Sequence, residues 1–260
     1  MIDLHSHILP NLDDGAKDLG EALRMCHIAE QDGIKILAAN PHFRPTVYEN
    51  NQENILPAVE RLQEEIDQKG IALRIVPGVD IIASPEVIPF LERNPRLTFG
   101  SRYALIEFPA QSIPPSIEDF FFRMRLKGFN PIITHPERNG EVQKDPRVLS
   151  GLVDQGVLVQ VTAMSLTGDF GNEVGVTTVR MLKVGLVHVI ASDAHSPRRR
   201  SPILSKARRA VENLIGPEKA RMMVEETPRK ILQGQTVEFF RDTDDQVSRP
   251  SMLKRLFGRS

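Results

Sequence analysis

Short apolar runs alternate with longer amphipathic segments along almost the whole chain. The runs cover 2–4, 34–39, 73–79, 103–108, 131–134, 157–161 and 187–191. Most are continuous rather than alternating, the pattern of strands buried on both faces of a parallel sheet. Helix signals fill the intervals. Asp18 and Glu21 have capping-box spacing ahead of Leu19, Ala22, Leu23, Cys26 and Ala29, and Gly33 closes that segment. Ile55, Val59, Leu62 and Ile66 recur at helical spacing up to Gly70. Ser84-Pro85 sets a cap residue before proline at a first helical position. Ser116 with Asp119 opens a helix that stops at Gly128, and Asp145-Pro146 opens one that stops at Gly156. A further helix ends near Gly185, and another runs from Pro217 to Leu232 before Gly234.

Seven strand candidates separated by helices predict one α/β domain over 1–240. The natural form is a closed barrel of seven or eight units, with an open doubly wound sheet as the alternative. Residues 241–260 lack periodicity until Met252-Leu253 and Leu256-Phe257, and read as a mobile tail. The end of that tail has the make-up of a short basic amphipathic turn, too short to hold a membrane alone.

Composition narrows the picture. The chain has 260 residues, 40% hydrophobic and 26% charged, as in globular proteins. No uncharged apolar stretch approaches the roughly 20 residues that cross a bilayer. The start, Met1-Ile2-Asp3-Leu4-His5, lacks the basic region and apolar core of a signal peptide. A single Cys excludes a disulfide framework or a Cys-rich zinc site and suits the cytoplasm. A net charge of −1 gives no electrostatic reason to expect nucleic acid.

The 7 His carry the most information. The first strand runs into His5-Ser6-His7 and then Asp13-Asp14-Gly15; the second ends at Asn40-Pro41-His42; the third ends at Asp80. The fourth holds Glu107, the fifth ends at His135-Pro136-Glu137-Arg138, and the seventh ends at Ser192-Asp193-Ala194-His195. In a parallel barrel the carboxyl ends of strands converge on one face. Neutral imidazole and carboxylate oxygen without thiolate suit first-row divalent metals. His5 and His7 point to one side of a strand and can share an ion. These donors exceed what one ion takes, so a cluster of two or three ions with a bridging carboxylate is expected. Such a cluster binds phosphate oxygens and delivers hydroxide to phosphorus. His27, inside the first helix, and His188, ahead of the last strand, have ordinary structural readings, and Cys26 reads as core.

Taken together, these segments resemble the polymerase and histidinol phosphatase (PHP) superfamily, whose fold is a distorted (β/α)7 TIM-like barrel with a trinuclear metal cup. Asp13-Asp14-Gly15 together with His135-Pro136-Glu137-Arg138-Asn139 looks more closely like one branch, the manganese-dependent protein tyrosine phosphatases of bacterial capsule and exopolysaccharide operons, of the CpsB/YwqE type. The resemblance covers about 1–240. It implies that His5, His7 and Asp193 hold one ion, that Glu107 and His135 hold a second with Asp80 bridging these two, and that Asp14, His42 and His195 hold a third. Arg138 looks like the phosphate-binding arginine and Arg200 like a second one, although Arg198, Arg199 and Arg200 form one basic loop. At the bridging position the family typically has Glu, one methylene longer than Asp80.

The implied activity is hydrolysis of phosphotyrosine in proteins, with Mn2+ first and Fe, Zn or Mg as alternatives. The implied partner is the tail of a bacterial tyrosine kinase that controls polysaccharide export. The implied location is the cytoplasm, at the inner face of the membrane through that substrate; the sequence leaves room for an oligomer. Two rivals follow from the same residues. One is a small-molecule phosphatase of the histidinol-phosphate type or another PHP phosphoesterase. The other is a metal-binding regulatory module weakened in turnover by Asp80.

Overall fold

Each of the seven apolar runs falls on a strand in the computed structural model, which describes residues 1–238. In chain order the strands are β1 (Ile2–Asp3), β2 (Ile36–Ala39), β3 (His42–Arg44), β4 (Tyr48–Glu49), β5 (Arg74–Pro77), β6 (Asp80–Ile82), β7 (Tyr103–Glu107), β8 (Asn130–Thr134), β9 (Leu158–Thr162) and β10 (Val189–Ala191). Three of them lie beyond the expected set. β3 and β6 continue β2 and β5 after breaks at Asn40-Pro41 and Gly78-Val79, and β4 folds back antiparallel on β3. The breaks have local causes. Pro41 has no N–H for a ladder. At Gly78 a Cβ would stand 2.3 Å from Asn40 Nδ2 and 2.9 Å from Phe99 Cζ, so the chain there admits only glycine.

The parallel ladders run β1–β2–β5 and β3–β6–β7–β8–β9–β10. Asp193 N donates to His5 O and His7 N donates to Ala194 O, both at 2.8 Å, which returns the pairing from β10 to the first strand. The architecture is thus the expected parallel α/β barrel, with its two halves stepped at the breaks in the second and third strands.

Its interior is layered. Leu105, Ile132 and Leu158 are register partners, and two residues further on so are Glu107, Thr134 and Gln160. Because side chains alternate, both rows face the same side. The lower row joins Ile2, Leu4, Ala38 and Val189 in an apolar plug, while the upper row is polar and opens at the strand ends. A second apolar cluster fills the space between strands and helices, with Met25, Ile55, Leu62, Phe121 and Met181 among its fully buried members.

The helices are α1 (Leu19–Gln31), α2 (Gln52–Gln68), α3 (Val87–Arg93), α4 (Ile117–Leu126), α5 (Gly140–Lys144), α6 (Ser150–Asp154), α7 (Ala163–Thr167), α8 (Asn172–Lys183), α9 (Ser205–Ile215), α10 (Pro217–Arg221) and α11 (Thr227–Leu232). Asp18 caps α1 as expected, accepting from Glu21 N at 2.8 Å, while Glu21 Oε2 reaches back to Lys17 N. Three expectations need correction. The helix expected at Ser84-Pro85 starts at Val87, because 84–86 form a turn closed by Val87 N on Ser84 O. Ser116 precedes α4, but its backbone is left-handed (φ 58°) and its side chain makes no capping bond. The expected helix over 217–232 is α10, a π-helical stretch (Met222–Glu226) and α11; Pro228 has no N–H and crowds the turn before it, which widens the helix there. The segment read as a tail, 241–260, lies outside the described residues. Among the described residues no helix is long and apolar enough to cross a membrane.

Candidate metal centre

The site sits where the polar row opens. His5 and His7 follow β1, Asp14 lies on the next loop, His42 opens β3, Asp80 opens β6, and Glu107 ends β7. His135 follows β8, and Asp193 and His195 follow β10. His135 (φ 38°) and Asp193 (φ 51°) both adopt the left-handed backbone that side-chain-bearing residues avoid. Such a conformation costs roughly 1–3 kcal/mol and persists only where the surroundings enforce it. Gly15 shows how close the Asp13-Asp14 loop lies to His7: a Cβ there would stand 2.0 Å from His7 O, which also accepts from Ala16 N.

All nine expected donors come together. Four groups have ligand atoms mutually within 4.8 Å: His7, Asp14, His42 and His195; His5, His7 and Asp193; His5, Asp80 and His135; and His42, Asp80 and Glu107. His5 Nε2 faces His7 Nε2 at 3.1 Å. Asp193 Oδ1 lies 3.5 Å from His5 Nε2 and 3.4 Å from His7 Nε2. Asp80 Oδ2 lies 3.7 Å from His5 Nε2 and 3.3 Å from His42 Nδ1. Glu107 stands between two imidazoles, 3.8 Å from His135 and 3.9 Å from His42. Asp80 therefore touches two groups at once. Its Oδ2, like His42 Nδ1, is buried without a hydrogen bond. Orphaned polar atoms of this kind are rare in native proteins, and a cation between them removes the anomaly. The donor set, imidazole and carboxylate only, fits hard-to-borderline divalent ions.

Electrostatics favour ligation. Burial lowers the pKa of His5, His135 and His195, the last to about 2, so these rings are held in the neutral, ligating form. Burial alone would raise Asp80 and Asp193, but the His42 side chain holds Asp80 low and the Arg138 guanidinium holds Asp193 low. Both stay ionised. His7 differs: burial pulls it down, yet Asp13 and Asp193 outweigh that and carry it up to about 10, so a cation at Nε2 must displace a proton.

The ring nitrogens that face away from the centre are fixed by partners. His7 Nδ1 bonds Asp13 Oδ2 at 2.6 Å, His5 Nδ1 bonds Gln160 Oε1 at 2.8 Å, and His195 Nδ1 bonds Asp193 O at 2.9 Å. Asp13 Oδ2 also accepts from His42 N, and its Oδ1 accepts from Gly15 N. Asp13 thus orients two ligands without being one. Replacing it with Asn is expected to weaken metal affinity about 10- to 100-fold, read by titrating the chelated protein with Mn2+.

Arginines line the rim. Nη2 of Arg138 and Nη2 of Arg200 both donate to Asp193 Oδ2, and Arg138 Nη2 also donates to Thr162 Oγ1 at 3.1 Å. Both guanidiniums lie over the Phe170 ring, 5.0 Å and 5.9 Å from its centroid. Opposite them Arg44 Nη2 donates to Glu107 Oε2 at 2.5 Å, and Tyr48 stacks on His42 with ring centroids 5.9 Å apart. Arg198 and Arg199 do not enter the cup. His188 accepts from Val159 N, and His27 is exposed on α1, as expected of structural histidines. Arg44, Phe170, Gln160 and Asp13 are the additions that the structure makes. Gln160 could have been noticed as a lone amide in a buried run, and Arg44 by its two-residue spacing from His42; Phe170 left no sequence signal.

A cup of N and O donors at the carboxyl end of a parallel barrel defines the class: a barrel hydrolase of the metal-assisted kind. A family model described as capsular polysaccharide synthesis, CpsB/CapC, matches residues 1–233, and the chain belongs to that family. The tyrosine-protein phosphatase YwqE of Bacillus subtilis is 35% identical over 259 residues, spanning 99% of each chain. The putative tyrosine-protein phosphatase CapC of Staphylococcus aureus is 35% identical over 197 residues, 75% of this chain and 77% of the relative. Among solved structures, one from the crystallographic description of YwqE and of Streptococcus pneumoniae CpsB as unique metal-dependent tyrosine phosphatases superposes with a TM-score of 0.87. It is 34% identical and covers 92% of this chain and 97% of that one. An Escherichia coli phosphotriesterase homology protein shares the fold alone, at 12% identity and a TM-score of 0.54 over 89% of this chain and 98% of that one.

Proposed function

We propose that the protein is a metal-dependent phosphomonoesterase that hydrolyses phosphotyrosine in proteins. The observation that carries this reading is the convergence of nine side chains able to ligate metal, one of which, Asp193, also accepts from two guanidiniums. Its family relatives, named tyrosine phosphatases, support the substrate class. His5, His7 and Asp193 are assigned to one ion; Glu107 and His135 to a second; Asp14, His42 and His195 to a third. Asp80, whose carboxylate groups with His5 and His135 and also with Glu107, would be the carboxylate shared by the first two ions despite its short side chain. Bound divalent ions, manganese first, supply Lewis acidity and a hydroxide nucleophile at neutral pH.

The chain's own residues do the rest. Arg138 and Arg200 bind the non-bridging phosphate oxygens, where a planar guanidinium engages two at once and meets the charge that develops at phosphorus. Phe170 keeps both guanidiniums at the rim. Tyrosine phenolate leaves with a pKa near 10, so the reaction needs less help from a general acid than an alkyl ester does. The physiological substrate is taken to be the tyrosine-bearing tail of a bacterial kinase in capsule or exopolysaccharide synthesis, met in the cytoplasm. The test is phosphate release from phosphotyrosine peptides by the manganese-loaded protein. We expect turnover that the double variant H42A/H135A lacks; equal rates for the two would refute the reading.

A further inference from the structure

Arg198 and Arg199 are left over by the site. Their loop is closed by Arg200 O, which accepts from His195 N at 2.9 Å and from Ser196 N at 3.1 Å. Ser196 Oγ accepts from Arg199 N and Arg200 N. This closure sends Arg200 toward Asp193 and leaves Arg198 and Arg199 exposed. Like Lys69, their side chains have no ion-pair or hydrogen-bond partner among the described residues.

The loop forms one wall of a groove of about 1100 Å³. Arg24 and His27 on α1 and Lys69 after α2 line its other sides, and Leu23, Ile71 and Pro197 give it an apolar floor. Its one carboxylate, Glu21, accepts from Lys17 N through one oxygen and stands 4.0 Å from Arg24 through the other, which leaves Lys69, Arg198 and Arg199 unpaired among the described residues. Four permanent cations in one groove stand out on a chain whose net charge is −1. The groove starts beside the cup and runs along α1 to Lys69, in the loop before β5. The Arg198-Arg199 loop is flanked by His195 and Arg200, and α1 leaves the loop that carries Asp13 and Asp14.

We propose that this groove is a docking site for the substrate polypeptide, and that it selects an acidic stretch with interspersed apolar residues on one side of the phosphotyrosine. The proposal rests on the phosphatase reading for the position of the phosphate. The groove itself supplies the preference: exposed cations add little singly but act together on several carboxylates, and their effect is screened by salt.

The test separates docking from chemistry. Fluorescence anisotropy with an unphosphorylated acidic peptide measures the groove alone, and turnover of p-nitrophenyl phosphate by the same manganese-loaded samples measures the cup alone. We expect the acidic peptide to bind at least about tenfold tighter than a neutral peptide of matched apolar content, and to weaken as salt rises. We expect K69E/R198E to lose that preference while its turnover of p-nitrophenyl phosphate stays within twofold. In kcat/KM, a phosphotyrosine peptide with acidic flanks should lose the same factor in the variant. Equal binding of acidic and neutral peptides, unchanged binding by K69E/R198E, or preferential binding of a single-stranded DNA oligonucleotide would overturn the proposal. Absence of p-nitrophenyl phosphate turnover with peptide preference intact would instead count against the phosphatase reading and leave the docking groove supported.

Discussion

Asp193→Asn is expected to lower kcat/KM on a phosphotyrosine peptide by about 10³-fold or more, a loss of roughly 4 kcal/mol or more in transition-state stabilisation. This carboxylate joins the histidine ligands to the rim arginines. One carboxylate oxygen faces His5, His7 and His195, and the other accepts from both Arg138 and Arg200. Asparagine preserves the shape but removes the charge. One ion then loses a ligand, and two guanidiniums face a neutral amide. The variant is expected to retain fewer ions per chain by metal analysis, so loss of ligation can be told from mere misplacement of the arginines. Asp193→Asn activity within tenfold of the parent would show that Asp193 is not the hub of the site.

The second large effect is on stability. Stripping divalent ions with excess chelator is expected to lower Tm by roughly 8–16 °C, and Mn2+ should restore it. An ion that binds only the folded state stabilises it by about 4 kcal/mol at a thousandfold excess over Kd. For a domain of this size each kcal/mol shifts Tm by about 2–4 °C. The ion-free cup is costly in its own right, since Asp80 and Asp193 are fully buried and ionised and Asp80 Oδ2 has no hydrogen bond. Differential scanning calorimetry of the chelated, reloaded and Asp80→Asn proteins reads the effect. The variant should keep less of the manganese-dependent shift than the parent. A Tm indifferent to both chelator and Mn2+ would contradict a metal site built from these residues.

Much of this site was legible in the chain because most of the ligands lie at or shortly after the carboxyl end of a continuous apolar run. A buried parallel strand forces such runs, and the carboxyl ends of parallel strands share one face, so residues as distant as His5 and His195 could be placed together. What the chain hid depends on tertiary register. That Asp13 rather than Asp14 fixes His7 follows from the way Gly15 presses the loop against His7 O. The choice of Arg200 among three consecutive arginines is made by the backbone closure at His195, which no local pattern encodes. Phe170 meets Arg138 and Arg200 only because the loop after α7 passes the rim. The steps at Asn40-Pro41 and Gly78-Val79 were masked by the continuity of the apolar pattern on their amino-terminal sides. They matter because they begin new strands at His42 and Asp80 and so set the positions of two ligands.

Anomalous diffraction at the manganese edge from crystals of the manganese-loaded protein tests the metal centre most directly. Two or three peaks are expected inside the cup, with Asp193 contacting one ion and Asp80 lying between two. A single peak, or peaks confined to residues outside the nine donors, would contradict the account.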